Sequence, residues 1–157
     1  MEIVAVCSQK GGSGKTTTAI SLSAALALNN KKVLLIDFDP QAHATMGLNV
    51  ESRLGIYDVL SKISKNKSLL RDIVVEIDNN FFLAPSSLML STIEQEFSDE
   101  IGRESRLRDA LSTEISQNKY DYIIIDCPPK LGLLTIIALR AADSAIVPVE
   151  ASRFSFE

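Results

Sequence analysis

Hydrophobic positions follow two rhythms along this chain. Five stretches have strand character, at residues 2–7, 32–38, 80–84, 120–126 and 144–148. The run YIIID within the fourth is apolar without alternation and β-branched at its centre, as suits a strand covered on both faces. Between the strands lie helical segments. The clearest spans 15–28, with Ala19, Leu22 and Leu26 on one stripe and Asn29-Asn30 as its stop. Residues 103–116 form a second, with Leu107, Leu111 and Ile115 four apart. Residues 131–142 form a third, apolar on nearly every face and therefore expected to be buried. Strand and helix alternate, so the expected fold is α/β, a mostly parallel twisted sheet with helices on both faces. The polar stretch SKISKNKS reads as a surface excursion within the domain.

Composition narrows the classes. At 157 residues the chain is expected to form a single domain, 1–157, burying about 70% of its unfolded surface. A hydrophobic fraction of 46% excludes a disordered chain. No apolar run approaches the ~20 residues of a membrane span, and the start MEIVAV lacks a basic region followed by a cleavage site, so a cytoplasmic protein is expected. Cys7 and Cys127 with the lone His43 make neither a disulfide scaffold nor a metal quartet. The net charge of −4 gives no overall nucleic-acid footprint, and Lys62, Lys65 and Lys67 read as a solvated cluster.

In such a sheet, ligands bind beyond the carboxyl ends of the strands, and three polar clusters fall there. The first is SQKGGSGKTTTAI. Gly11, Gly12 and Gly14 let backbone N–H groups turn toward a phosphate chain, Ser13 lies among them, and the helix starting at Lys15 adds its positive end. Lys15 is placed to reach the β- and γ-phosphates, the Thr16 hydroxyl to ligate Mg²⁺, and Thr17 to bond the α-phosphate. A turn that merely permits tight packing would explain G-x-G alone, but not the whole of G-G-x-G-K-T-T. Asp126, ending YDYIIID, is the natural acid to hold Mg²⁺ through a water molecule. The third cluster, DFDPQ, offers Asp37 and Asp39, which share a side if the strand runs through both. Gln9 stands where a conventional phosphate loop begins with glycine.

That substitution has an explanation in a known family. The loop KGGSGKTT resembles, at every fixed position, the deviant Walker A loop K-G-G-x-G-K-S/T of the ParA/MinD ATPases, which have a P-loop NTPase fold. The resemblance extends through VLLIDFDPQAHAT, YDYIIIDCPP, LGLLTIIALRAAD and AIVPVEAS, and DPQ with Gln9 is closer to the partition (ParA/Soj) branch than to the Min branch. It implies an Mg²⁺-dependent ATPase, weakly active and partner-stimulated, that switches between a monomer and an ATP-sandwich homodimer in plasmid or chromosome partitioning. The catalytic residues it implies are Lys10, donated across the dimer, with Lys15 and Asp39, the latter orienting the attacking water. Asp37 is either a helper near the metal or a structural acid bonding the loop. Implied partners are a ParB-like stimulator and non-specific DNA, the latter bound through a C-terminal part that this chain is expected to lack. A Min-type or other cargo-positioning ATPase and a non-hydrolysing nucleotide switch are the alternatives. Lys130 and Ile137 depart from the usual Ser and Asn of partition members. The cluster cysteines of the nitrogenase-type iron proteins have no counterparts here.

Overall fold

In the computed structural model, which describes residues 1–149, six strands form one sheet in the order β3-β4-β2-β5-β1-β6. The strands are β1 (Glu2–Val6), β2 (Val33–Asp37), β3 (Val75–Asp78), β4 (Phe81–Ala84), β5 (Tyr122–Asp126) and β6 (Ser144–Ile146). All neighbours run parallel except β3, which pairs antiparallel with β4. The five strands expected from the apolar runs are all present, with trimmed ends. The extra strand, β3, forms a tight hairpin with β4 through Asn79 and Asn80, the latter at φ 63°. Its side chains are at most half-buried, so it lacks the continuous apolar run that marks its neighbours.

Alternate residues of the central strands enter two separate cores. Ile3, Ala5, Leu34, Ile36, Ile123 and Ile125 face one side, while Val4, Val6, Val33, Leu35 and Ile124 face the other. The second side is covered by α1 (Lys15–Leu28) and the short α2 (His43–Gly47). On α1 the fully covered stripe is Ala19, Ser23 and Ala27, with Leu22 and Leu26 only partly covered beside it. Small residues four apart let the helix lie close on the sheet, and the Ser23 hydroxyl donates to the Ala19 carbonyl at 2.8 Å rather than facing the sheet unpaired. The Asn stop holds: Asn30 turns left-handed at φ 59°, and the Asn29 side chain bonds the Ala25 carbonyl at 2.8 Å.

The first side is covered by α3 (Ile56–Leu60), α4 (Leu70–Ile73), α5 (Ile93–Glu96), α6 (Arg106–Ala110), α7 (Ser112–Ser116) and α8 (Leu133–Ala141). Two expectations need correction here. The helix expected over 103–116 is a 3₁₀ turn followed by α6 and α7, broken at Leu111. Leu107 and Leu111 still anchor it in the core. The third helix is not buried all round. Leu134, Ile137, Ala138 and Ala141 are covered, but Ile136 is 53% and Leu139 41% exposed, as is Leu131 just before the helix. Apolarity on every face shows that a helix tolerates cover, not that this stretch of chain supplies it. The SKISKNKS segment is an exposed loop for most of its length, and Lys62 pairs with Glu100 at 2.9 Å.

Candidate functional site

The sheet order sets β1, β5 and β2 side by side, so the three polar clusters meet. Asp126 is in register with Val6 on one side and Asp37 on the other. Main-chain bonds continue the pairing one residue beyond the strands, from Cys127 N to the Val6 carbonyl (3.1 Å) and from Phe38 N to the Asp126 carbonyl (2.9 Å). The loops leaving these strands therefore start from a rigid base.

The loop from β1 to α1 turns through left-handed geometry at Gly12 (φ 75°) and Gly14 (φ 82°), where a Cβ would strain the backbone. Gly14 is also the residue before α1, so the turn delivers the chain straight into the helix with its first N–H groups facing out. A cavity of about 530 Å³ lies over this helix start. Gly11, Gly12, Gly14, Lys15, Thr16 and Thr17 line one wall, with Asp39, Gln41, His43 and Pro129 opposite. His43, which begins α2, is exposed and lines this cavity.

Lys15 is 7% exposed, and its ammonium donates to the Lys10 carbonyl at 3.4 Å. The Lys10 side chain is exposed on the outer limb of the loop and does not line the cavity. The Ser13 hydroxyl is buried with no hydrogen-bond partner among the described residues.

Beneath the cavity lies Asp126, fully buried beside the Thr16 hydroxyl and the Lys15 ammonium, with no hydrogen bond of good geometry to either carboxylate oxygen among the described residues. Its pKa is raised to about 7, chiefly by burial; the Thr16 hydroxyl and the Lys15 ammonium oppose the rise, and the charges of Asp37 and Asp39 add to it. A buried, unsatisfied carboxylate facing a hydroxyl and an ammonium is costly unless a cation completes it. Magnesium fits: it takes one or two protein oxygens and fills its remaining positions with phosphate and water. The donor set of Asp126 and Thr16 beside a phosphate-sized cradle has that composition.

Asp37 has a different environment. β2 ends at Asp37, so the strand does not carry both acids on one face; the loop doubles back instead. Asp37 accepts from the Thr45 N–H and the Thr45 hydroxyl, both at 2.7 Å, and from the Asp39 N–H at 3.3 Å. Burial raises its pKa and these bonds oppose the rise. The Thr45 hydroxyl in turn accepts from Ser86 N at 3.0 Å, and the Ser86 hydroxyl bonds the Asp39 carbonyl at 2.8 Å. With its oxygens spent on the loop backbone and Thr45, Asp37 has the surroundings of a structural acid. Thr45→Val is expected to leave Asp37 and the Ser86 N–H short of partners at a cost of about 2–4 kcal/mol. That predicts a fall in Tm of roughly 5–12 °C by circular dichroism.

Asp39 is 6% exposed, accepts from Gln41 N at 2.9 Å, and lines the cavity opposite the loop. The two cysteines sit at adjacent strand ends, both free, with thiol pKa values raised by burial, and so remain protonated and unreactive. The structure thus gathers Gly11, Gly12, Gly14, Lys15, Thr16, Thr17 and Asp39 around one cavity. Asp126 lies below it, Asp37 behind it and Lys10 outside. Thr45, Ser86, Gln41 and Pro129 carry no signal of their own in sequence: Gln41 and Pro129 lie within DFDPQ and DCPP, Thr45 lies four residues past the first, and Ser86 lies just beyond β4.

A phosphate cradle at the end of β1, an acid at the end of the adjacent parallel strand and helices on both faces define a P-loop nucleoside triphosphatase fold. The whole chain, residues 1–157, matches the family described as AAA domain, and it belongs to that family, with ParA/Soj partition ATPases as its relatives. It is 45% identical to the sporulation initiation inhibitor protein Soj of Bacillus subtilis, over 99% of this chain and 61% of that protein. Identity to the chromosome-partitioning ATPase Soj of Treponema pallidum is 44%, over 95% and 57%. Among solved structures, the cobyrinic acid a,c-diamide synthase of Mycobacterium smegmatis with bound ADP and magnesium superposes with a TM-score of 0.87. It is 35% identical over 98% of this chain and 63% of that one. The chain thus spans about three fifths of the length of these curated relatives. No helix among the described residues is long and apolar enough to cross a membrane.

Proposed function

We propose that this protein is an Mg²⁺-dependent ATPase that cycles between a monomer and a nucleotide-bridged homodimer to position DNA, as in plasmid or chromosome partitioning, in the cytoplasm. The observation that carries this reading is the buried, unsatisfied Asp126 beneath Lys15 and Thr16 at the mouth of a glycine-lined loop. Its partners in this reading are a ParB-like stimulator and non-specific DNA.

The residues divide the chemistry between them. N–H groups of Gly11, Ser13 and Gly14 and the start of α1 hold the phosphates, and Lys15 neutralises charge on the β- and γ-phosphates. Thr16 and Asp126 would hold Mg²⁺, which when bound would offset charge on the phosphate oxygens. Asp37 fixes the Asp39–Gln41 loop from behind, and Asp39 orients water against the γ-phosphate. Lys10 lies on the outer limb with its carbonyl turned to Lys15, which suits a side chain that reaches a second molecule's nucleotide. Cationic groups supplied in trans are worth ~10³–10⁵ in phosphoryl-transfer rate.

Phosphate release measured with and without Mg²⁺, DNA and a candidate stimulator tests the reading. Mg²⁺-dependent release is expected, and its absence under every condition contradicts hydrolysis. Lys10→Ala is expected to bind nucleotide within about threefold of wild type, as a side chain outside the cavity contributes little to that affinity. The same variant is expected to stay monomeric with ATP in light scattering. A dimer that forms as in wild type refutes the trans role.

A further inference from the structure

Gly132, at the start of α8, has no backbone need to be glycine. Its φ of −102° and ψ of −170° are extended values that any residue adopts. What crowds the position is the end of a neighbouring side chain. A Cβ at position 132 would collide with Oε1 of Glu94 and lie 3.5 Å from its Cδ and 3.9 Å from Oε2. The Glu94 carboxyl group therefore occupies the space that a side chain at 132 would fill.

We propose that Glu94 is a positioning residue of the site, seating the turn between β5 and α8 against the Asp39 loop through its contact with Gly132. Three features support this. Glu94 belongs to α5, which packs on α8, so its base is fixed relative to the turn. A second cavity, of about 220 Å³, has Pro129 and Lys130 of the turn on one wall, Asp39 and Gln41 on the other, and Glu94 at its edge. It meets the glycine-lined cavity at Asp39, Gln41 and Pro129, so a shift of the turn alters both. Finally, the middle of the turn is tethered from α8, where the buried Thr135 hydroxyl donates to the Lys130 carbonyl at 2.5 Å. Thr135 holds the turn from the core side and Glu94 from the solvent side. Glu94 is itself exposed, so it can be removed without opening a core cavity.

The inference deepens the proposed ATPase reading, but its first readout does not depend on that reading. Amide hydrogen exchange is followed in peptides covering residues 127–134 of the full chain. Glu94→Ala withdraws the carboxylate, and Gly132→Ala evicts it while keeping it in the protein. Each is expected to speed exchange in that segment by about tenfold with Tm little changed. Because both variants break one contact, the double variant is expected to exchange no faster than either single. Glu94→Gln, which keeps the shape, is expected to restore exchange to within about twofold of wild type. Unchanged exchange in Glu94→Ala, or a double variant whose increase is the product of the two singles, overturns the proposal. Turnover is the second readout: kcat is expected to fall in both single variants with KM for ATP held within about twofold. A wild-type chain without turnover sinks the ATPase reading and leaves exchange alone to decide the role of Glu94.

Discussion

Lys15→Ala is expected to weaken ATP binding by about 100-fold or more, since a charge-assisted bond to phosphate is worth about 1.5–3 kcal/mol and Lys15 is placed to reach two phosphates. The physical reason lies in its burial. At 7% exposure the ammonium is already removed from most of its water and donates a long bond to the Lys10 carbonyl, so little further desolvation opposes its contact with phosphate. Fluorescence titration with a labelled ATP analogue measures the loss. The fold should survive, because the ammonium bonds the loop rather than the core. A variant that keeps wild-type affinity while folded by circular dichroism would remove Lys15 from the site.

Asp39→Ala should separate binding from hydrolysis. Asp39 stands across the cavity from the loop, tied through its carboxylate to Gln41 and through its carbonyl to Ser86. Positioned acids and bases contribute typically 10²–10⁴ in rate. The variant is therefore expected to lose about 100-fold or more in kcat while binding ATP within about threefold of wild type, and to accumulate as the ATP-bound dimer. Quenched-flow measurement of product formation and light scattering with ATP read the two effects. Unchanged turnover would take Asp39 out of the mechanism. A parallel loss of ATP affinity would assign it to binding instead.

The parts of the site readable in sequence are those made by contiguous residues. Strand β5 announces itself because a strand covered on both faces must be apolar throughout, and its terminal Asp126 then stands out as the first charge. The glycine-lined loop is equally local, since its turn is dictated by residues 11–14 and its helix by the next fourteen. Sequence leaves two readings of Asp37 open, because the groups that engage it come from Thr45, eight residues on, and through it from Ser86, forty-one further. Short helices such as α2, α3 and α5 span four or five residues, too few for a 3.6-residue period to show. The exposed face of α8 was misjudged for a related reason. A run such as LLTIIALRA is equally apolar whether its outer face meets more protein or water.

The dimer and the switch rest on a simpler claim, that Lys15, Thr16 and Asp126 together hold triphosphate and magnesium at the ends of β1 and β5. Isothermal calorimetry of ATP into the wild-type chain, with Mg²⁺ and again with a chelator, tests it most directly. The account predicts a single saturable site with Mg²⁺ and affinity at least about tenfold weaker without it, equivalent to about 1.4 kcal/mol of metal-linked binding. No saturable heat in the presence of Mg²⁺, or equal affinity in its presence and absence, would contradict it.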